Sequence, residues 1–363
     1  MSLDTEEMRI RLSEFLEHSQ SNPLSSDDSP LRQMCLEVET EIDSYLTPEL
    51  VHLADDIYRY LGQDGLEKRI SLHRTYIDAA PNVEERFWSN WHLVDTLAVM
   101  RRNSEAIEEQ KAFYKWARAE LTIGHMVKTL FDSTQARCWV VENQGEDWFK
   151  LYYNVLGKTE SAQIDRQDLC IFIRTGSEVA TMAEKFPEAM TEANRLGEIN
   201  QDPEWKHYIQ FWLGAITTKL EVYRKQSFWD QYDQLSEETI SLVERNVINP
   251  KKKISASDLA WIAHDLGACL MWAKRYKQAK RLLEIAIEQD DSGGSHFFLA
   301  ACIWASEKDR SQTLYHLRYA QQTTKRNVLN RGGYYKFFLN LPEFEDVKDD
   351  ADFLEILGQR PED

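Results

Sequence analysis

Hydrophobic residues recur at every third or fourth position along almost the whole chain, which is the spacing of one face of an α-helix. The segment MRIRLSEFLEH, for example, places Met8, Leu12, Phe15 and Leu16 on one such face. No run of four to eight residues alternates between apolar and polar as a half-buried strand does, and CIFIRT at 170–175 is predicted to be buried helix. The pattern therefore predicts an all-α protein.

Breaks in this periodicity divide the chain into successive pairs of helices. Turn-forming sequences such as LGQDG at 61–65, INQDP at 199–203 and DDSGGS at 290–295 separate the helices. The predicted pairs are 49–61 and 65–79, 84–101 and 104–121, 124–142 and 147–157, 165–184 and 187–200, 203–225 and 228–247, 256–273 and 276–289, and 294–306 and 310–325. Helices joined by short connections in this way favour a stack of antiparallel pairs.

The stretch Trp261–Asp290 is predicted to form two helices rich in large hydrophobic residues, with small residues at Gly267, Ala279 and Ala286. Such residues are needed where two helix backbones approach closely, because a larger side chain would overpack the crossing. The next pair repeats the pattern 34 residues further on, where Ala301 corresponds to Gly267. The spacing indicates a helix hairpin that stacks on copies of itself.

These positions resemble the tetratricopeptide-repeat family, whose repeat of about 34 residues has a Leu-Gly pair in its first helix and two alanines in its second. Gly267 matches the Leu-Gly pair, and Ala279 and Ala286 match the alanines. The resemblance covers 256–326 and, more loosely, 48–121. It implies a right-handed α-solenoid of stacked antiparallel helix pairs with a degenerate helical middle.

The repeats and the composition of the connecting stretches predict five segments. These are an acidic helical segment at 1–45, helix pairs at 46–123, an irregular helical region or degenerate repeats at 124–250, repeats at 251–327, and a capping segment at 328–363. The last segment resembles the cap of many bacterial members of the family. Its residues Phe344, Phe353, Leu354 and Leu357 are expected to cover the apolar end of the stack, which a solenoid needs for solubility.

Composition and charge narrow the class of protein further. The 42% of hydrophobic residues suffices for a core, and only 14 Gly and 9 Pro in 363 residues suit long helices. No apolar run approaches the ~20 residues of a membrane span, and five scattered cysteines are typical of reduced thiols, so a cytoplasmic protein without membrane contact is expected. The net charge of −18 argues against a nucleic-acid partner.

The sequence contains no motif that is typical of a catalytic site, a phosphate-binding loop or a metal site. There is no GxxxxGK phosphate loop, no GxSxG nucleophile motif, no HExxH and no Cys-x2-Cys pair, and the nine histidines are spread singly. We therefore expect a protein that is not an enzyme and that holds neither a cofactor nor a metal ion.

The family resemblance implies a binding groove lined by the first helix of each pair. The residues at its inward-facing positions that we take as candidates for protein or peptide binding are Trp261, His264, Met271, Phe298, Trp88 and Trp91. Aromatic side chains often anchor interfaces, although these residues could instead pack against the middle helices or the cap. The lining lacks the Lys, Asn and Arg with which chaperone-binding members clamp a C-terminal carboxylate, so no such clamp is expected.

The function that these features favour is a scaffold or adaptor that binds a protein or peptide in the groove. Two alternatives stay open. The acidic charge, which includes twelve acids against three bases in Met1–Leu50, suits a regulatory or immunity-type protein that binds and blocks a basic effector. The other alternative is an enzyme whose site lies within 124–248. The sequence leaves the oligomeric state and the identity of the partner open.

Overall fold

The computed structural model describes residues 4–21, 29–42, 46–159, 162–199, 209–248, 255–290, 293–324 and 340–357. Every regular element in these ranges is a helix, so the predicted all-α class is confirmed. The chain forms two compact units, Met1–Leu196 and Gly197–Asp363. Their boundary falls inside the predicted segment 124–250. None of the described helices combines the length and the apolar character that crossing a bilayer requires.

In unit 1, α2 to α6 pack mainly against their neighbours along the chain, whereas α8 and α10 pack mainly against helices two or three places away. The helices are α1 Thr5–Ser21, α2 Ser29–Ile42, α3 Pro48–Arg59, α4 Gly62–Ala79, α5 Val83–Val99, α6 Asn103–Glu120, α7 Ile123–Lys128, α8 Ser133–Val141, α9 Gly145–Thr159, α10 Arg166–Met182 and α11 Phe186–Ile199, whose last residues lie beyond the unit boundary. The first helices of successive pairs, α5, α8 and α10, also contact one another. This is the packing of stacked helix pairs that the sequence predicts.

Unit 2 is built in the same way. Its helices are α12 Ile209–Lys225, α13 Trp229–Ile248, α14 Ala256–Trp272, α15 Tyr276–Gln289, α16 Gly293–Glu307, α17 Arg310–Thr324 and α18 Ala351–Leu357, with a short 3-10 helix at Pro342–Phe344. The pairs are α12–α13, α14–α15 and α16–α17, and the first helices α12, α14 and α16 contact one another in order.

The turn between the helices of a pair has one recurring conformation. Its central residue has φ between 54° and 60°, the left-handed region, at Arg101, Asn143, Glu184, Ser227, Lys274 and Lys308. In the first five turns, the N–H of the following residue donates to a carbonyl oxygen five residues earlier, as from Arg102 to Leu97 (2.9 Å) and from Arg275 to Leu270 (2.8 Å). In the sixth, the N–H of Lys308 itself donates to the carbonyl oxygen of Ile303 (3.2 Å). These bonds close the C-terminus of the first helix. Because glycine occupies none of these turn positions, the sequence carries no obvious signal for them.

These turns reveal a regular repeat within the described part of 124–250, the region for which the sequence analysis left open irregular helices or degenerate repeats. Five residues after each turn residue, the second helix holds a residue that is at most 1% exposed: Ala106, Trp148, Ala189, Tyr232, Ala279 and Thr313. Trp148 and Tyr232 thus fill the position that Ala279 occupies in α15. A large side chain in place of alanine hides the repeat from a comparison of sequence patterns, and degenerate repeats are one of the two alternatives that the sequence analysis gave for this region.

The predicted helix at 124–142 is also wrong, because the chain forms two helices there, α7 and α8. The hydroxyl of Thr129 donates to the carbonyl oxygen of Met126 (2.8 Å) where α7 ends. The carboxylate of Asp132 then accepts a bond from the N–H of Gln135 (2.9 Å) and caps α8. An N-terminal cap of this kind starts a new helix with its own direction.

The close approach of two helices expected within Trp261–Asp290 is confirmed. A Cβ atom on Gly267 would lie 2.8 Å from Cγ of Leu283, within the pair α14–α15. Ala279 and Ala286 have no exposed surface. The small residues therefore stand where the two helices of the pair meet.

The C-terminal described segment packs on the last pair of unit 2. Phe353 contacts the ring of Trp304 in α16 (5.4 Å between centroids), and Phe344 contacts Phe297 (6.0 Å). Asp346 accepts a hydrogen bond from Nε1 of Trp304 (2.8 Å). Leu354 packs partly buried against the same core, whereas the side chain of Leu357 lies outside the described part of the chain.

Candidate functional site

A row of residues on the first helices stays accessible in each unit. It consists of the residues ten positions before each turn residue: Trp91, Ser133 and Arg174 in unit 1, and Thr217, His264 and Phe298 in unit 2. Each is partly exposed, and each lies on a helix that packs against another first helix of its own unit. Three of the six predicted site residues occupy these positions, and each unit has its own row: in unit 1 it holds Trp91 and then polar or charged residues, and in unit 2 it holds the rings of His264 and Phe298.

Aromatic rings from two helices meet on the accessible side of unit 2. The ring of Phe298 in α16 lies 5.5 Å from that of His264 and 6.4 Å from that of Trp272, both in α14. Trp272 is 46% exposed, which is high for so large an apolar side chain. Together with the partly buried Trp261, these residues form what we call the aromatic face.

His264 fixes the geometry of this face. Its Nδ1 lies 3.0 Å from the hydroxyl oxygen of Ser295, so the imidazole in α14 is held by α16. Burial lowers the pKa of His264, because a charged imidazolium would lose hydration there. The ring is therefore neutral at pH 7 and contributes a flat, weakly polar surface.

Two of the residues predicted to line the groove have surroundings that differ from those expected. Trp261 is only partly exposed and packs against the core of unit 2. Met271 has no exposed surface, because it lies among the buried side chains of the same core, so its prediction as a groove residue was wrong. Its neighbour Trp272, which the sequence analysis did not select, carries the exposed surface at this end of α14.

The two upstream tryptophans lie on α5 in unit 1. The indole N–H of Trp88 donates to Glu84 (2.7 Å), and the ammonium of Lys128 lies 5.9 Å from the centre of its ring. Trp88 and Trp91 contact each other at 6.1 Å. Both are half-buried against a small cluster that includes Phe87. They are therefore partly core residues and partly accessible surface.

A carboxylate follows Trp91 by one helical turn. Burial, together with the nearby carboxylate of Asp132, raises the pKa of Asp95 to about 6. No hydrogen bond or ion pair joins Asp95 to another described residue, although the charges of Arg69 and Arg59 offset part of the rise in its pKa. A cation brought to this surface would relieve the cost of ionising Asp95.

Behind this surface, unit 1 buries a polar network that the sequence analysis missed. The carboxylate of Asp55 accepts bonds from Nε of Arg69 (2.6 Å) and lies 2.8 Å from Nε2 of His73. His73 stacks on His92 (5.2 Å), and the Nδ1 atoms of both rings and Nε1 of Trp91 are buried without a hydrogen-bond partner in the described structure. Because three helices contribute to this cluster, no sequence motif within a single helix predicts it.

The region 124–248, considered for an enzyme site, contains a buried carboxylate. Glu192 is 1% exposed and accepts bonds from the hydroxyl of Tyr152 (3.0 Å) and from Arg195 (2.9 Å). Burial raises the pKa values of both Glu192 and Tyr152. The carboxylate links α9 to α11. Within the described residues, no three His, Cys, Asp or Glu side chains are placed to hold a metal ion.

Comparisons with known proteins add little to this geometry. No family model and no curated protein matches the chain. Among solved structures, the chain is similar to the crystal structure of Ton1535 from Thermococcus onnurineus NA1, with 11% sequence identity over 96% of this chain and 99% of that one. The TM-score is 0.35, a level of similarity that supports no conclusion on function.

Proposed function

We propose that the protein binds a segment of another protein through the aromatic face of unit 2. The observation that carries this proposal is the exposure of Trp272 beside Phe298 and His264, on two helices that are fixed against each other. Tryptophan and other aromatic anchors contribute disproportionately to binding energy at protein interfaces. The role is that of an adaptor or scaffold rather than an enzyme, and a cytoplasmic location fits it.

Preorganisation of the face supports this role. The hydrogen bond between His264 and Ser295 fixes the ring before a partner arrives, and Phe298 is held between His264 and Trp272. Little side-chain freedom then remains to be lost on binding, so more of the contact energy appears as affinity. The three rings are uncharged at pH 7, so we expect the bound segment to supply apolar side chains.

A second candidate function, binding of a basic protein effector, is favoured by unit 1. The unpaired carboxylate of Asp95, one turn from the partly exposed ring of Trp91, could receive a lysine or arginine side chain of a partner. The net charge of −18 would steer such a partner to the surface. Affinity that falls steeply as salt rises would support this candidate, whereas an apolar partner would respond weakly to salt.

The proposal is tested with peptides selected from a random library on the wild-type protein and titrated by fluorescence anisotropy. We expect Trp272→Ala and Phe298→Ala to raise the Kd roughly tenfold or more. Tyr315→Ala is the matched control, because Tyr315 is 58% exposed on the second helix α17 of the same unit. Unchanged affinity in Trp272→Ala and Phe298→Ala, with both variants folded, would exclude the aromatic face as the binding site.

A further inference from the structure

A pocket of about 360 Å³ lies in unit 1, between the end of α5, the turn that follows it and one face of α8. Its polar lining residues are Arg101, Asn103, Thr134 and Arg137, each of which carries a hydrogen-bond donor on its side chain, and both arginines are exposed. No carboxylate is among its described lining residues. A volume of this size lies at the lower end of the range for small-molecule sites.

The two arginines of the pocket have no carboxylate partner within the described part of the chain, although acidic residues outnumber basic ones by 61 to 43. The adjacent Arg102 contrasts with them, since it binds Glu105 (2.7 Å) and Glu67 (2.9 Å). The acidic residue that follows the pocket along α8, Glu142, accepts a hydrogen bond from Ser104 (3.2 Å). The two arginines therefore stay without an ion pair among the described residues, although the carboxylates of Asp132 and Glu142 are near enough to help raise the pKa of Cys138 in the same pocket.

The backbone holds Arg101 at the edge of the pocket. Its φ of 58° is the left-handed conformation, and its N–H donates to the carbonyl oxygen of Ala98 (3.0 Å). The five other turns of this kind adopt the same conformation without glycine, so it is the ordinary geometry of the turn. The turn fixes the point from which the guanidinium reaches the pocket.

The other walls of the pocket are apolar. Val99 and Val141 line it and are 52% and 54% exposed, respectively. Cys138 also lines it, and burial raises the pKa of its thiol to about 11, so this side chain is uncharged at pH 7. The cationic side of the pocket thus stands next to an accessible hydrophobic surface.

We infer that this pocket binds a small organic acid, with its carboxylate or phosphate oxyanion held by Arg101 and Arg137 and its apolar body covered by Val99 and Val141. Guanidinium groups suit oxyanions because their planar arrangement of N–H donors matches two acceptor oxygens. The site lies in unit 1 and is independent of the aromatic face of unit 2, so either can fail without the other.

The inference is tested by NMR on the whole chain carrying isotope-labelled valine methyl groups. The protein is titrated separately with butyrate, with monobutyl phosphate and with the neutral analogue butyramide. We expect saturable shifts of the Val99 and Val141 methyl signals with at least one anion and not with butyramide. The anion that binds more tightly identifies the oxyanion class. Arg137→Gln and Arg101→Gly should each weaken binding at least roughly tenfold, since each removes a charge-assisted hydrogen bond.

The matched control is Arg118→Gln, an exposed arginine of α6 in the same unit that does not line the pocket, and its affinity should equal that of wild type. Arg101→Gly keeps the backbone in a conformation that glycine prefers, so loss of folding does not confuse the result. Absence of saturable shifts at both valines, equal shifts with butyramide, or unchanged affinity in Arg137→Gln would overturn the inference.

Discussion

Gly267 in α14 and Leu283 in α15 are so close that a Cβ atom on the glycine would lie 2.8 Å from Cγ of the leucine. We expect Gly267→Ala to lower the free energy of unfolding by about 1–3 kcal/mol, because the added methyl overpacks the crossing. Gly157→Ala is the control, since no atom lies within 4 Å of a Cβ there, and alanine should stabilise α9. Chemical denaturation measures both changes. If Gly267→Ala and Gly157→Ala changed the free energy of unfolding in the same direction and by the same amount, the helices of the pair would not meet at Gly267.

Replacing a residue in a left-handed turn with glycine should stabilise the protein, whereas glycine within a helix destabilises it. Lys274 has φ of 60° between α14 and α15, so Lys274→Gly should raise the free energy of unfolding by about 0.5–1 kcal/mol. Lys277→Gly, three residues later and exposed in the first turn of α15, should lower it by about 1 kcal/mol. Urea denaturation of both variants tests the sign. A loss of stability in both would contradict the assigned turn conformation.

Asp95 should make unit 1 sensitive to pH in a defined direction. Its pKa of about 6, raised by burial and by Asp132, exceeds that of an unfolded aspartate, so the native state binds a proton more tightly. Stability attributable to this group is therefore present below about pH 4 and is lost as the pH rises through 6. Asp95→Asn should raise the free energy of unfolding by about 1–2 kcal/mol at pH 7 and change it little at pH 4. A gain that does not depend on pH would contradict a raised pKa.

The sequence predicted the architecture well where helix pairs follow a simple spacing. The bounds of α15 were predicted without error, and the small residues Gly267 and Ala279 lie at the expected crossing. The break before α8 was missed because Met126, Val127 and Leu130 continue the apolar period across it, even though Asp132 offered a capping signal. Local hydrogen bonds of Thr129 and Asp132, rather than periodicity, mark where α7 ends and α8 begins.

The accessible surface was predicted less well than the fold. His264 and Phe298 were found because they occupy inward-facing positions of a known repeat, but the same rule also selected Met271, which is buried. Trp272 was missed because exposure at the end of a helix depends on the turn that follows, and Lys274 gives no glycine signal for that turn. The pocket at Arg101 was missed for the same reason.

The two candidate functions, binding of a basic effector through unit 1 and binding of an apolar segment through unit 2, predict different effects of a substitution at His264. Burial lowers the pKa of this imidazole, and an apolar peptide bound over the ring would remove it further from water, so binding favours the neutral ring and weakens as the ring becomes protonated at acid pH. We expect a selected apolar peptide to bind less tightly at pH 5 than at pH 7, and His264→Gln to remove the difference. An identical pH dependence in His264→Gln would assign it to another group.

The most direct test of the central claim is site-specific photo-crosslinking in cells of the source organism. Trp272 is replaced by p-benzoylphenylalanine, and a second version carries the same residue in place of Tyr315, the exposed aromatic on α17. The account predicts a discrete covalent adduct with a protein at position 272 and none at position 315. Absence of an adduct at 272, or equal adducts at both positions, would contradict recognition through the aromatic face of unit 2.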